Sequence, residues 1–175
     1  MPRITKKTHF HYTLITEKNN DSSYLKFTII PTSYNVQWYL SCLLIGVVNL
    51  ISWHYLRTRL LFQVIVACGS LGFCKRPTVE SVTVFQDYGV QISHFNGYVV
   101  LPRRWNEKWF SKIVFYPRDK IVDVIINEGF EGSSVVFYLC LIVKGASKLT
   151  LLFPRTKPRL VDQKLIYQML KREGV

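Results

Sequence analysis

Along the chain, apolar and polar positions first alternate with a period of two, then fuse into unbroken apolar runs, then alternate again. In residues 8–16 and 24–31, Phe10, Tyr12 and Leu14, and then Leu25, Phe27 and Ile29, fall at every second position. That period marks half-buried strands and predicts an N-terminal β-hairpin. From Val36 to Leu56 and from Leu60 to Cys74 there are two apolar arms, joined by Arg57-Thr58-Arg59. After Lys75-Arg76-Pro77 the runs become short and rich in β-branched residues. Val79–Gln86 alternates, with Val82, Val84 and, as a further candidate, Phe85 turned inward, and Asp87-Tyr88-Gly89 turns the chain into Val90–Phe95. Asn96-Gly97 is the strongest hairpin dipeptide and predicts a turn into Tyr98–Leu101. Ile113–Tyr116, Ile121–Ile126, Val135–Val143 and Leu149–Phe153 read as further strands, the last two separated by a Gly145-Ala146-Ser147 turn. Val161, Leu165, Ile166 and Met169 recur at helical spacing within Leu160–Arg172, with Asp162 near its start and Lys171 and Arg172 at its end.

About seven strands and one amphipathic helix predict a mainly β fold with a C-terminal helix. The expected form is a small antiparallel sheet or barrel resembling a pleckstrin-homology domain, plus a membrane-inserted helical hairpin. The chain divides into residues 1–35, an N-terminal segment; 36–76, the hairpin; and 77–175, the β domain with its helix. A hairpin returns the chain to its starting side, so the N-terminal strands can join the same sheet.

The first arm has 21 residues, about 31 Å as a helix, against about 30 Å of hydrocarbon. The second has 15, roughly 22 Å, which is short for a span. Trp38 and Trp53 are also 15 residues apart and suit the two interfacial levels where aromatic rings settle. Two equally short legs, crossing a thin bilayer or dipping part-way, fit this spacing. A buried hairpin in a soluble core is the alternative, supported by Asn49, Gln63, Arg57 and Arg59; arginine at mid-bilayer costs at least ~2.5 kcal/mol. Against it, neither arm has a polar face, and little chain is left to surround two such helices. About 35 mostly polar residues precede the first arm, which excludes a signal peptide.

Composition sharpens this division. The 175 residues are 49% hydrophobic and 19% charged, with a net charge of +12, so the chain can build a core and is not a disordered polyelectrolyte. Residues 36–74 hold no acid and two bases, Arg57 and Arg59. Basic and apolar together suggest a membrane rather than nucleic acid as partner. Four cysteines are too few for a disulfide scaffold.

No dinucleotide, P-loop, nucleophile-elbow, zincin or C-x-x-C motif occurs. No catalytic residue, cofactor or metal site is therefore assigned. Cys42, Cys68, Cys74 and Cys140 sit in apolar runs and read as small hydrophobes. His9 and His11 share one face of an expected strand, which offers a weak ligand pair, and solvated strand residues is the better reading. The segment Arg103 to Lys112 interleaves Arg103, Arg104, Lys108 and Lys112 with Trp105 and Trp109. Its rings can rest at a bilayer interface while each base gains about 1 kcal/mol near anionic lipid; packing inward as a barrel loop is the equal alternative. The membrane or headgroup set is thus Trp38, Trp53, Arg57, Arg59, Lys75, Arg76, Arg103, Arg104, Trp105, Lys108 and Trp109.

The stretch from Phe115 through Tyr116-Pro117-Arg118-Asp119-Lys120-Ile121 to Ile126-Asn127-Glu128-Gly129-Phe130 resembles the hallmark of the PIG-H family, a component of the phosphatidylinositol N-acetylglucosaminyltransferase (GPI-GlcNAc transferase) complex. Glu80-Ser81-Val82, Gly89-Val90-Gln91 and Phe153-Pro154 extend the resemblance over roughly residues 77–172. It implies a non-catalytic membrane component of the enzyme that moves N-acetylglucosamine from UDP-GlcNAc to phosphatidylinositol, the first step of glycosylphosphatidylinositol-anchor synthesis. It further implies the endoplasmic reticulum membrane, soluble parts on the cytosolic face, and the catalytic and other subunits of that transferase as partners besides membrane lipids. Tyr116, Pro117, Arg118, Asp119, Asn127 and Glu128 form the expected partner interface, although Asn127 and Glu128 also suit a strand end or turn. The alternative function is an independent pleckstrin-homology-like module that binds lipid headgroups.

Overall fold

The computed structural model describes residues 3–19, 23–55, 60–72, 75–98 and 108–173. Two antiparallel sheets hold the strands. The first joins six strands in sequence order: β1 (Arg3–Thr8), β2 (Tyr12–Lys18), β3 (Tyr24–Pro31), β4 (Lys75–Phe85), β5 (Gly89–Tyr98) and β6 (Ser111–Pro117). A 3-10 turn, Arg118–Lys120, leads into the second sheet of β7 (Ile121–Glu131), β8 (Ser134–Val143) and β9 (Thr150–Leu151). Helices α1 (Ser33–Tyr55) and α2 (Leu60–Gly72) are inserted between β3 and β4, and α3 (Leu160–Arg172) closes the fold.

Period-two patterning explains the core. Tyr12, Leu14, Leu25, Phe27, Ile29, Val82, Val84, Val90 and Ile92 all point to one face of the first sheet and are buried. They meet Val124, Leu139 and Leu141 of the second sheet and Ile166 and Leu170 of α3. Phe85, next to the inward Val84, necessarily turns to the opposite face, where its ring meets that of Phe115 at 6.3 Å.

Several expectations are corrected. The β part is two sheets rather than one curled sheet, because the 3-10 turn at Arg118–Lys120 redirects the chain between them. Asn96-Gly97 is no turn: β5 continues through it, with Gly97 opposite Arg76 and Tyr98 opposite Lys75. Neither residue takes the positive φ that a two-residue hairpin turn demands. Thr78 instead fixes Asn96 across the pair at 2.7 Å. Residues 8–16 are not one strand; the chain reverses at His9–His11, and the exposed β1 precedes it. The strand expected over Ile121–Ile126 runs on to Glu131, so Asn127 and Glu128 lie inside it rather than capping its end.

The two apolar arms are helices packed against each other, but their legs are unequal, with 23 and 13 residues, or about 34 and 20 Å. Among the described residues no helix is long and apolar enough to cross a membrane. The described part of the shorter leg covers about two-thirds of ~30 Å of hydrocarbon.

Candidate functional site

The antiparallel register collects several features at one end of the first sheet. Thr8 faces Thr13, Tyr12 faces Pro31, Lys75 faces Tyr98 and Phe95 faces Ser111. The β1–β2 turn, the root of the helical hairpin, the end of β5 and the start of β6 therefore lie together at one end, the root end. A cleft of about 310 Å³ there is lined by His11, Tyr12, Ser33, Pro77, Thr78 and Arg155 among others. A wider hollow of about 860 Å³ opens on the coreless face of the sheet, from Lys6, Glu17 and Lys26 to Tyr34 at the start of α1.

Two carboxylates bury themselves completely near this end. Glu80 occupies an inward position two residues before Val82. It accepts from the Arg155 N–H at 3.2 Å and, through its other oxygen, from the Thr156 N–H at 3.0 Å and the Thr156 hydroxyl at 2.6 Å. His94 Nδ1 lies 3.3 Å away, and the Arg155 guanidinium donates to Thr78 at 2.8 Å. The segment after Phe153-Pro154 is thereby pinned onto β4. Asp162, at the start of α3, accepts from Lys7 Nζ at 2.7 Å and from the Tyr12 hydroxyl, and faces His9 Nε2 at 2.9 Å. Tyr12 in turn accepts from the Arg159 N–H at 2.8 Å.

Burial by itself would raise the Asp162 pKa, but the Lys7 and Tyr12 hydrogen bonds and the charge of His9 outweigh it and hold it below the usual carboxylate value. Burial, aided by the bond to Asp162, pushes the Tyr12 hydroxyl up to about 12. A carboxylate, an imidazole and a phenol together resemble acid–base machinery. Through these bonds the cluster ties β1, β2 and the start of α3 together. Sequence reasoning missed both joints, since Glu80 and Asp162 read as a strand opening and a helix-end charge. The available signal was an acid in phase with inward valines at Glu80. His9, expected to be solvated on a strand, sits in the turn beside Asp162 because that charge draws it in.

The expected partner residues do not form one patch. Tyr116 is half-buried against the core, and Pro117 pairs with Gly89 at the end of the sheet away from the hairpin. A Cβ on Gly89 would lie 2.1 Å from the Tyr116 carbonyl oxygen, and its φ is +143°, so only glycine fits this corner. Arg118 is exposed, reaches Asp87 at 3.3 Å and donates its N–H to the Tyr88 carbonyl at 2.9 Å. Asp119 is exposed beside it. Asn127 and Glu128, also exposed, lie opposite Tyr138 and Phe137. Six residues of strand (121–126), about 20 Å, separate them from the turn that holds Asp119, and as neighbours in a strand Asn127 and Glu128 face opposite sides.

Of the expected membrane set, Arg57, Arg59, Arg103, Arg104 and Trp105 lie outside the described residues, as do the side chains of Trp38, Lys75 and Arg76. Trp53 is exposed on α1, and Lys108 and Trp109 are exposed in a helical turn leading into β6.

The hairpin itself is built inside out. The outward positions of α1 include Leu40, Leu43, Leu44, Val47, Leu50 and Ile51, and those of α2 Leu61, Val64 and Ile65, all exposed. The seam between the legs holds the polar groups: Asn49 donates to Ile45 O at 2.8 Å and to Ser70 Oγ at 3.3 Å, and Ser52 and Ser70 are buried. Small and polar residues inside with aliphatic ones outside is how helices pair in lipid.

Comparison with known proteins agrees with the hallmark segment. The family model for the GPI-GlcNAc transferase complex, PIG-H component, matches residues 81–154. The Saccharomyces cerevisiae phosphatidylinositol N-acetylglucosaminyltransferase subunit GPI15 is 32% identical over 198 aligned positions, covering 92% of this chain and 86% of that protein. The chain belongs to the PIG-H family. A Schizosaccharomyces pombe subunit of the same name is 32% identical over 80 residues, 46% of this chain and 44% of that one. The region matched by the PIG-H model begins one residue after Glu80 and ends one before Arg155.

Proposed function

We propose that this chain is a non-catalytic subunit of a phosphatidylinositol N-acetylglucosaminyltransferase. Its β domain stands on the cytosolic face of the endoplasmic reticulum, and its hairpin dips into the bilayer without crossing it. The observation that carries the assignment is the match to the GPI15 subunit over 92% of the chain. The inside-out hairpin supports the membrane part, and unequal legs of 23 and 13 residues suit a wedge more than a span. The saturation of Glu80 and Asp162 supports a scaffold, since both carboxylates spend their hydrogen-bonding capacity on the fold.

As a scaffold it raises the local concentration of the catalytic subunit at the lipid surface. Arg118 and Asp119, at one end of the β domain, and Asn127 and Glu128, along β7, make two separate contacts with the other subunits. The test is affinity purification of the full chain from its native membranes. It should bring down the transferase subunits with activity toward UDP-GlcNAc and phosphatidylinositol, and the chain purified alone should form no product. Turnover by the isolated chain contradicts the assignment. Charge reversal at Arg118 and Glu128 together should weaken co-purification; an unchanged yield removes those contacts.

A further inference from the structure

The root end of the β domain carries two exposed aromatic tips that the hairpin does not explain. Phe10, in the β1–β2 turn, is 81% exposed, and Phe130, beside the β7–β8 turn, is 86% exposed. They lie in different sheets, yet α3 and the segment before it bring them to the same end. Tyr12, two residues after Phe10, accepts from the Arg159 N–H at 2.8 Å. Lys157, two residues before Arg159, is ion-paired with Glu131, the neighbour of Phe130. Gln163 ties α3 to the Phe137 carbonyl of β8 at 2.7 Å. Trp109, 62% exposed, leads into β6 at the same end.

The exposed charges around these rings are mainly basic. Lys108, Lys112, Arg155 and Arg159 are exposed here. Of the carboxylates nearby, Glu80 and Asp162 are buried and Glu131 is paired with Lys157, while Glu128, two residues before Phe130 on β7, is exposed. An aromatic tip flanked by bases is what an anionic lipid surface accepts: the ring enters the headgroup layer and the cations meet phosphate or carboxylate groups. A soluble partner would require acids and an apolar depression together, whereas a bilayer accommodates isolated projecting rings.

We infer that the β domain stands on the membrane by its root end, with Phe10 and Phe130 as two feet in the anionic headgroup layer beside the hairpin. This rests on the hairpin being inserted. The strands of the first sheet then rise from the bilayer, and Tyr88 and Arg118, at the opposite end, face away from it.

The test incorporates p-benzoylphenylalanine in the full chain in place of Phe10, Phe130, Tyr88 or Leu43, one at a time. The chain is placed in phosphatidylcholine vesicles with and without phosphatidylserine and irradiated. Tyr88 is 75% exposed and Leu43 66%, so all four probes occupy open positions where an aromatic ring disturbs no packing. Lipid adducts at positions 10 and 130 should exceed those at 88 several-fold and increase with phosphatidylserine, while position 43 labels in either vesicle. Adducts at 43 with 10 and 130 no higher than 88 overturn the inference and leave the inserted hairpin standing. No adducts at 43 overturn the insertion beneath it. In native membranes carrying the other subunits, lipid adducts at 10 and 130 support the inference; adducts to protein instead assign this end to a partner and overturn it.

Discussion

The β domain and the hairpin draw on the same aliphatic residues and arrange them in opposite ways. In the domain, leucine, valine and isoleucine converge on one core, and the two carboxylates buried beside it, Glu80 and Asp162, are held by hydrogen bonds. In the hairpin, aliphatic side chains cover the outside, and Asn49, Ser52 and Ser70 occupy the seam. Burial follows whichever solvent surrounds an element: water drives apolar groups inward, and lipid exerts no such drive between helices. The contrast is what the proposed seating of the hairpin in lipid and the β domain in water predicts.

The largest effect should come from identical truncations on either side of this divide. Leu141→Ala in the core should cost about 2–5 kcal/mol of unfolding free energy, measured by denaturant titration in mild detergent. Leu43→Ala on the hairpin's outer face should leave that value nearly unchanged and weaken vesicle partitioning instead. Equal destabilisation by both would erase the distinction.

Next in size is the Glu80 joint. Glu80→Ala strands the buried N–H groups of Arg155 and Thr156 and should cost about 3 kcal/mol. Glu80→Gln should recover part of that loss, because its amide oxygen still accepts.

The Asp162 joint predicts a pH dependence. Its folded pKa is lower than the unfolded one, so its contribution is complete above about pH 4 and is lost as pH falls through the depressed value. Thermal melts should show the wild type losing this increment on acidification. Asp162→Asn should start lower at neutral pH and lose less.

A smaller effect is expected at the seam, where Asn49→Ala should weaken pairing of the legs by about 1 kcal/mol in lipid. The smallest belongs to the exposed pair Lys171–Asp123, whose mutual bond lowers the Asp123 pKa and raises that of Lys171. Lys171→Ala should leave the melting temperature unchanged within error.

What the sequence discloses follows the range of the interactions involved. The hairpin, the strands at Val82, Val84, Val90 and Ile92, the turns at Asp87-Tyr88-Gly89 and Gly145, and α3 all depend on local periodicity and turn chemistry, and they are legible. The Glu80 and Asp162 joints are not, because their partners lie some 75 and 150 residues away and no local pattern announces such pairing. Asn96-Gly97 misleads for a related reason. Its turn preference is worth little against continued pairing of β5 with β4, which extends as far as Lys75. The family hallmark is legible as a string, yet its two polar halves separate in space once β7 proves to be eleven residues long.

Extraction of the full chain from its native membranes with alkaline carbonate tests the lipid-seated hairpin most directly, read beside a variant in which Leu43, Leu44, Val64 and Ile65 are replaced by serine. The account predicts that the native chain stays with the membrane pellet and that the variant, its β domain still folded by circular dichroism, moves to the supernatant. Release of the native chain, or retention of both, would contradict it.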